Sequence, residues 1–226
     1  MKQLTNFIKE GLKIGKDWKK TNKYEYTPTY PTDLRDIINK ITKTYENPDD
    51  IIDLSIIDTS KMKNMSYLFY GSKRKYDVSE WNVSNVTDMS FMFHKAKFTC
   101  DLSKWDVGNV VNMTSMFYGC DEFKGLEKWD VGNVEDMNSM FKYSHFNGDI
   151  SDWNVSNVKD MRFMFEQSTF NQNISNWDIS KVENFKWIFA ESSFKQDLNA
   201  WAKIMKKMKR NGELIYILNF IDKNEL

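Results

Sequence analysis

Six tryptophans, Trp81, Trp105, Trp129, Trp153, Trp177 and Trp201, stand 24 residues apart without a break. A fixed period of this length marks a repeat array, in which each unit buries its apolar residues only by stacking on its neighbours. Other columns keep the same beat. Val83, Val107, Val131, Val155 and Ile179 follow two residues after a tryptophan, and Val86, Val110, Val134, Val158 and Val182 three further on. Met89, Met113, Met137, Met161 and Phe185 come next, then Met92, Met116, Met140, Met164 and Ile188. Each of these last is followed directly by Phe93, Phe117, Phe141, Phe165 or Phe189. Ahead of the tryptophans stand Val78, Leu102, Leu126, Ile150, Ile174 and Leu198. A copy without its tryptophan opens the array, with Leu54, Ile57, Thr59, Met62, Met65, Leu68 and Phe69 in the same columns. Six units therefore fill residues 53–196, and Leu198 with Trp201 begins a seventh that is diverted.

Two periodicities divide each unit. Ile150-x-x-Trp153-x-Val155 has the alternation of a short strand entering a horseshoe. Val158, Met161, Met164 and Phe165 recur at the spacing of one or two helical turns, and Ser156-Asn157 supplies turn and N-cap chemistry between them. A phenylalanine seven before the next tryptophan (Phe98, Phe146, Phe170, Phe194) closes the unit, except where Glu122 takes the slot beside Phe123. The expected fold is an α/β repeat. It is a leucine-rich-repeat-like solenoid with a short parallel strand and a short helix per 24-residue coil.

Such an array needs capped ends. Residues 1–50 supply a helical N-terminal cap: Leu4, Phe7, Ile8 and Leu12 share one helical face, and Leu34, Ile37, Ile38, Ile41 and Tyr45 share another after the Pro28–Pro31 turn. The solenoid occupies 51–200. Residues 201–226 form a helix/strand C-terminal cap, with Trp201, Ile204, Met205 and Met208 helical, a stop at Gly212, and a closing strand from Leu214 to Phe220. Caps and array account for the whole chain and leave little over for an independent catalytic domain.

Lys plus Arg equals Asp plus Glu, 32 each among 226 residues, so no overall field points to nucleic acid or to an acidic membrane. The ends are basic: residues 1–31 carry seven lysines against three acids, and residues 201–226 six basic groups against three acids. The middle is correspondingly acidic. The two cysteines, Cys100 and Cys120, have neither CxxC spacing nor histidines at ligand spacing, which speaks against structural zinc and leaves one disulfide or, as the favoured reading, buried or half-buried free thiols. The opening MKQLTNFIKEGLKIGKDWKK has charges every few residues and no apolar run of signal-peptide or membrane-span length. A cytoplasmic location is the expectation.

The blocks WNVSNVTDMSFMF, WDVGNVVNMTSMF and WNVSNVKDMRFMF resemble the BspA-like leucine-rich repeats, also called DUF285 or the bacterial surface-protein 26-residue repeat. The resemblance spans roughly residues 50–200. It implies a repeat solenoid, commonly displayed on the surface of bacteria and mycoplasmas and assigned to adhesion or to unknown function. This sequence departs from that pattern in lacking an export signal or anchor of the family's kind. Its Lys-rich start and its Lys/Asn/Ile-heavy composition are also similar to copies of this repeat carried by tailed phages of gut bacteria. That second resemblance implies a location in the host cytoplasm or in the virion.

Two ladders of side-chain oxygens run along the array. Asn82, Asp106, Asp130, Asn154 and Asp178 follow the tryptophans. They read either as a cation- or ligand-binding ladder or as turn-forming groups, and mixed Asn and Asp favour the second reading. Asp88, Asn112, Asp136, Asp160 and Asn184 stand where they would cap a helical turn. The tryptophan and methionine columns read as core rather than as sugar platforms or a binding stripe. His94 and His145 stand two units apart with no nucleophile or acid motif beside either, and the chain contains no phosphate loop, HExxH or GxSxG. No enzyme, cofactor or metal site is expected.

Function is then sought where the period fails. Glu80, Lys104, Lys128 and Asp152, with Asn176, precede the tryptophans and should face outward. Phe91, Ser115, Ser139, Phe163 and Trp187 form one column beside Ser90, Thr114, Asn138, Arg162 and Lys186. Phe91, Phe163 and Trp187 break its polar rule, either as an exposed partner patch or as residues half-buried against the next unit. The expected function is a non-enzymatic protein–protein interaction module, and a phage member would act on a host protein. The alternative is a structural or adhesive surface or virion protein that binds host protein or glycan. A protein partner is expected, with neither nucleic acid nor membrane.

Overall fold

The computed structural model describes residues 25–97, 100–121 and 123–207. The expected helix over Leu4–Leu12, Phe98, Glu122, Met208, the stop at Gly212 and the closing strand from Leu214 lie outside the described residues. Within them the chain is a mixed α/β structure with two α-helices, one 3-10 turn (Leu126–Lys128) and a two-stranded parallel sheet.

Helix α1 (Pro31–Thr42) is the second of the two expected cap helices. Pro31 suits the first helical position, where no N–H is needed and φ is already set. Asp33 in the first turn and Lys40 in the last complement the helix dipole. Leu34, Ile38 and Ile41 bury one face against the core, as their spacing predicts. Helix α2 (Asn199–Lys207) closes the described residues at the other end and buries Trp201, Ala202 and Met205.

Strands β1 (Ile51–Asp53) and β2 (Lys75–Asp77) pair in parallel, Ile51 opposite Lys75 and Asp53 opposite Asp77. The register offset is the sequence period, so the first unit lies beside the second. Beyond them pairing is reduced to single parallel bridges, Asn64 to Asp88 to Asn112 to Asp136 to Asp160 to Asn184. The expected strand over Ile150-x-x-Trp153-x-Val155 is not there. Trp153 N–H bonds the Ile150 carbonyl and Val158 N–H bonds the Val155 carbonyl, so this stretch is a series of tight turns whose alternate side chains point inward.

The expected helix per unit is corrected as well. The Met89-x-x-Met92-Phe93 stretch and its equivalents are successive β-turns. Met92 N–H reaches the Met89 carbonyl, His94 the Phe91 carbonyl and Ala96 the Phe93 carbonyl, three residues back rather than four. Met89, Phe91, Phe93 and Lys95 donate instead to Asn112, Thr114, Met116 and Tyr118 of the next unit. Half of the backbone donors that a helix would satisfy internally are thus shared with a neighbour. The left-handed residues recur on the same beat: Tyr67, Phe91, Ser115, Ser139, Phe163 and Trp187 have φ between 53° and 62°. Positive φ at the second central residue of a turn is the type II geometry. Turns overlapping at this spacing bury every third or fourth residue, which is why the segment carries a helix-like apolar stripe.

All described members of the apolar columns are buried. The tryptophans also bond between units. The indole N–H groups of Trp81, Trp105, Trp129, Trp153, Trp177 and Trp201 donate to the carbonyls of Leu54, Val78, Leu102, Leu126, Ile150 and Ile174, each at 3.0–3.1 Å. A buried indole needs such a partner, and here the partner is always the preceding unit. Phe93, Phe117, Phe141, Phe165 and Phe189 stack ring on ring beside them, 5.6–5.7 Å apart.

Candidate interaction face

The oxygen ladders are built into the scaffold. Oδ1 of Asn82, Asp106, Asp130, Asn154 and Asp178 each accepts the backbone N–H two residues on, the local turn that Asx side chains favour. Asn64, Asp88, Asn112, Asp136, Asp160 and Asn184 do the same. Sequence reasoning placed that second ladder at helix starts; it caps turns. It missed a third set, Asp53, Asp77, Asp101, Asp149, Asn173 and Asp197, with the same bond. The sequence carries it four residues before every tryptophan except Trp129, where Gly125 takes the place, and at Asp53 of the first unit. The asparagine of each Ser/Gly-Asn pair spans units rather than capping a helix: Asn85, Asn109, Asn133 and Asn157 donate from Nδ2 to Ser60, Ser84, Gly108 and Gly132, each at 2.7 Å. Among the described residues no three His, Cys, Asp or Glu side chains converge on a metal site, and no helix is long and apolar enough to cross a membrane.

The cysteines are both free. Cys120 is buried and donates to the Phe93 carbonyl at 2.7 Å, and burial pushes its thiol up to about 12. Cys100 is raised to about 11 by the same cause. Thiols held this far toward the protonated form are poor nucleophiles.

The residues singled out ahead of the tryptophans are exposed, but they do not converge on one feature. Glu80 and Lys104 pair with each other, and a solvated pair of this kind contributes little. Lys128 and Asp152 are exposed one and two units further on, with no ion pair to each other.

The turn-ladder face is different in kind. Phe91 is half-buried and stacks on Tyr67, centroids 4.6 Å apart and planes 9° apart. Tyr67 and Tyr70 are 47% and 52% exposed and lean together at 5.8 Å. His94 is sandwiched between Tyr70 at 4.6 Å and Tyr118 at 4.2 Å, and Tyr118 meets the edge of Tyr143. Further along, Lys142 Nζ lies 5.1 Å over the Tyr143 ring and 4.8 Å over the Phe163 ring, while it pairs with Glu166 at 2.6 Å. Phe163 is half-buried under that ammonium, and Trp187 is 48% exposed. Arg162, expected beside them as a contact residue, is half-buried and clamps Asp160 from Nε and Nη2. Ser115 and Ser139, in the middle of the column, are buried.

Of the residues in this row, the broken polar column marks Phe91, Phe163 and Trp187 but not Tyr67, Tyr70, Tyr118, Tyr143 and Lys142. The signal was present. Tyr67 stands one period before Phe91, and Tyr70, His94 and Tyr118 share a column. His94 stands without a nucleophile or acid motif in the sequence, and in the structure it is one ring in a row.

That setting makes His94 a pH-sensitive element of stability. Burial, helped by the Lys95 charge, lowers it from the ordinary imidazole value to about 4, and its Nδ1 is buried without a hydrogen-bond partner among the described residues. The folded state therefore resists the proton that the unfolded chain accepts near 6.5. Stability should be full above pH 6.5, fall as pH drops toward 4, and change no further through this group below that. The loss should be roughly 1–2 kcal/mol once solvent at the ring edge is allowed for. Urea titrations at stepped pH on the native chain and on His94→Tyr, which copies Tyr70 and Tyr118, check it. An unchanged pH slope in His94→Tyr would assign the effect to other groups.

No curated protein and no solved structure matches the chain. The family described as "Mycoplasma protein of unknown function, DUF285" matches residues 32–142 and again 123–216. The overlapping matches take in α1, every tryptophan unit and α2, so this protein belongs to DUF285.

Proposed function

We propose that this chain is a leucine-rich-repeat-like solenoid acting as a non-enzymatic protein-interaction module, with the turn-ladder face as its contact surface. The observation that carries the reading is the contrast between columns. The periodic side chains are buried or tied into turns, whereas the aperiodic ones on this face are exposed or half-exposed aromatics: Tyr67, Tyr70, Phe91, Tyr143, Phe163 and Trp187. Aromatic anchors with charged neighbours such as Lys142 and Arg162 are the composition of protein contact centres. The polar row of Glu80, Lys104, Lys128 and Asp152 serves as rim or as plain solvated surface. If the chain is phage-encoded, its partner is a host protein.

The test uses the full chain as bait in a lysate of the cells that carry it, with surface variants in parallel. One stoichiometric partner should be retained by Lys104→Glu with Lys128→Glu, and lost with Phe163→Ser and Trp187→Ser. Serine is a conservative probe there, because Ser115 and Ser139 occupy the same left-handed column position. Recovery of the chain from purified virions as a stoichiometric component, with no soluble partner, would replace this reading by a structural one.

A further inference from the structure

We infer that the N-terminal edge of the turn ladder is a docking site for a polypeptide segment of a partner protein, which donates backbone N–H groups to an open row of carbonyls and places an aromatic side chain in the adjoining cleft. The inference rests on the protein-interaction reading and locates one part of it. In each unit from the second on, four carbonyls receive N–H groups from the unit before: Asp88, Ser90, Met92 and His94 accept from Met65, Tyr67, Phe69 and Gly71. Asn64, Ser66, Leu68 and Tyr70 are the equivalents in the first unit, and Tyr67 has the same left-handed φ as Phe91. Among the described residues no unit precedes theirs, and none of these four carbonyls accepts a hydrogen bond. An unpaired row of backbone acceptors is a template for another chain.

The space beside the row is shaped for a ring. A cavity of about 450 Å³ separates α1 from the first unit, with Tyr67, Tyr70 and Tyr76 on one wall and Arg35 and Asn39 on the other. Tyr67 and Tyr70 are stacked from the far side by Phe91 and His94, so the open side of the pair is where the row of rings stops. An aromatic side chain entering there would continue a stack that the protein has already ordered, and little side-chain freedom is lost on its side. Arg35 is exposed and forms no ion pair among the described residues, which suits an acidic residue next to the aromatic one.

A random-peptide library selected on the full chain is the probe. The selected peptides should carry an aromatic residue with an acidic neighbour. Their affinity should fall about tenfold or more in Tyr67→Ser with Tyr70→Ala, substitutions that the same columns already carry at Ser115 and Ala190. It should change less than about twofold in Phe163→Ser with Trp187→Ser, and the chain should sediment as a monomer. Selection of no peptide, or binding indifferent to the tyrosine variants, overturns the inference. Two other outcomes overturn it by naming another occupant. A tenfold gain in peptide affinity in Leu4→Asp with Phe7→Asp would assign the edge to residues 1–24 of this chain. A dimer that disperses in the tyrosine variants would assign it to a second copy. Lysate-partner binding that depends on Phe163 and Trp187 but not on the tyrosines would leave the interaction reading standing while this inference fails.

Discussion

Trp129→Ala is expected to lower the unfolding free energy by about 4–5 kcal/mol, the upper part of the range for deleting a buried aromatic. The ring is buried, lies parallel to Trp105 at 6.3 Å and packs against Phe117 at 6.0 Å. Its indole N–H joins this unit to the Leu102 carbonyl of the one before. Trp129→Phe separates the two contributions, because it keeps most of the ring and loses the bond. The same Leu102 carbonyl also accepts Trp105 N–H, so it is not orphaned by the change. The phenylalanine variant should therefore lose only about 1–2 kcal/mol, a net hydrogen bond plus a small volume defect. Urea unfolding of both variants checks this. Equal losses in the two would mean that packing contributes nothing beyond the bond, contrary to the burial seen.

Gly125→Ala is the second large effect, about 3–4 kcal/mol. Gly125 precedes the 3-10 turn with φ of 82°, and a Cβ there would sit 2.4–2.6 Å from the backbone N, Cα and Cβ of Ser103. A left-handed alanine costs ~1–2 kcal/mol, and overpacking against a backbone that cannot swing aside adds about 1–3 more. At about 2–4 °C per kcal/mol for a chain of this size, the melting temperature should drop by roughly 6–15 °C. Gly71→Asn is the control. Gly71 is also left-handed, but no atom lies within 4 Å of its would-be Cβ, and Lys95, Tyr143, Gln167 and Glu191 occupy the same column at positive φ. That variant should melt within a degree or two of the native chain. An equal drop in both would trace the effect to φ alone.

The scaffold was legible because burial at a fixed period depends on side chains, and side chains are what a sequence states. The tryptophan, valine, methionine and phenylalanine columns and the α1 face from Leu34 to Ile41 all follow from apolar spacing. What was not legible is how the backbone donors are shared. Met89-x-x-Met92-Phe93 gives the same stripe whether its N–H groups bond four residues back or across to Asn112, Thr114 and Met116. Only the left-handed φ at Phe91 and Lys95 separates the cases, and neither residue type announces it. Glycine at 71 and 119 in the Lys95 column was the one available hint. The row of aromatic rings was half legible for a related reason. Phe91, Phe163 and Trp187 break a polar column, whereas Tyr70, His94 and Tyr118 share a mixed column with Lys142, Glu166 and Ala190, where no rule is broken. Their stacking follows from the period once those positions are aligned.

The central claim is that periodic residues hold the fold while aperiodic aromatics on the turn-ladder face hold a partner. The most direct measurement takes Phe163→Ser with Trp187→Ser and reads partner affinity and melting temperature on the same preparation. The account predicts affinity lower by about tenfold or more, with a melting temperature within a few degrees of native. A variant that binds as tightly as the native chain, or one that melts as early as Trp129→Ala, would contradict it.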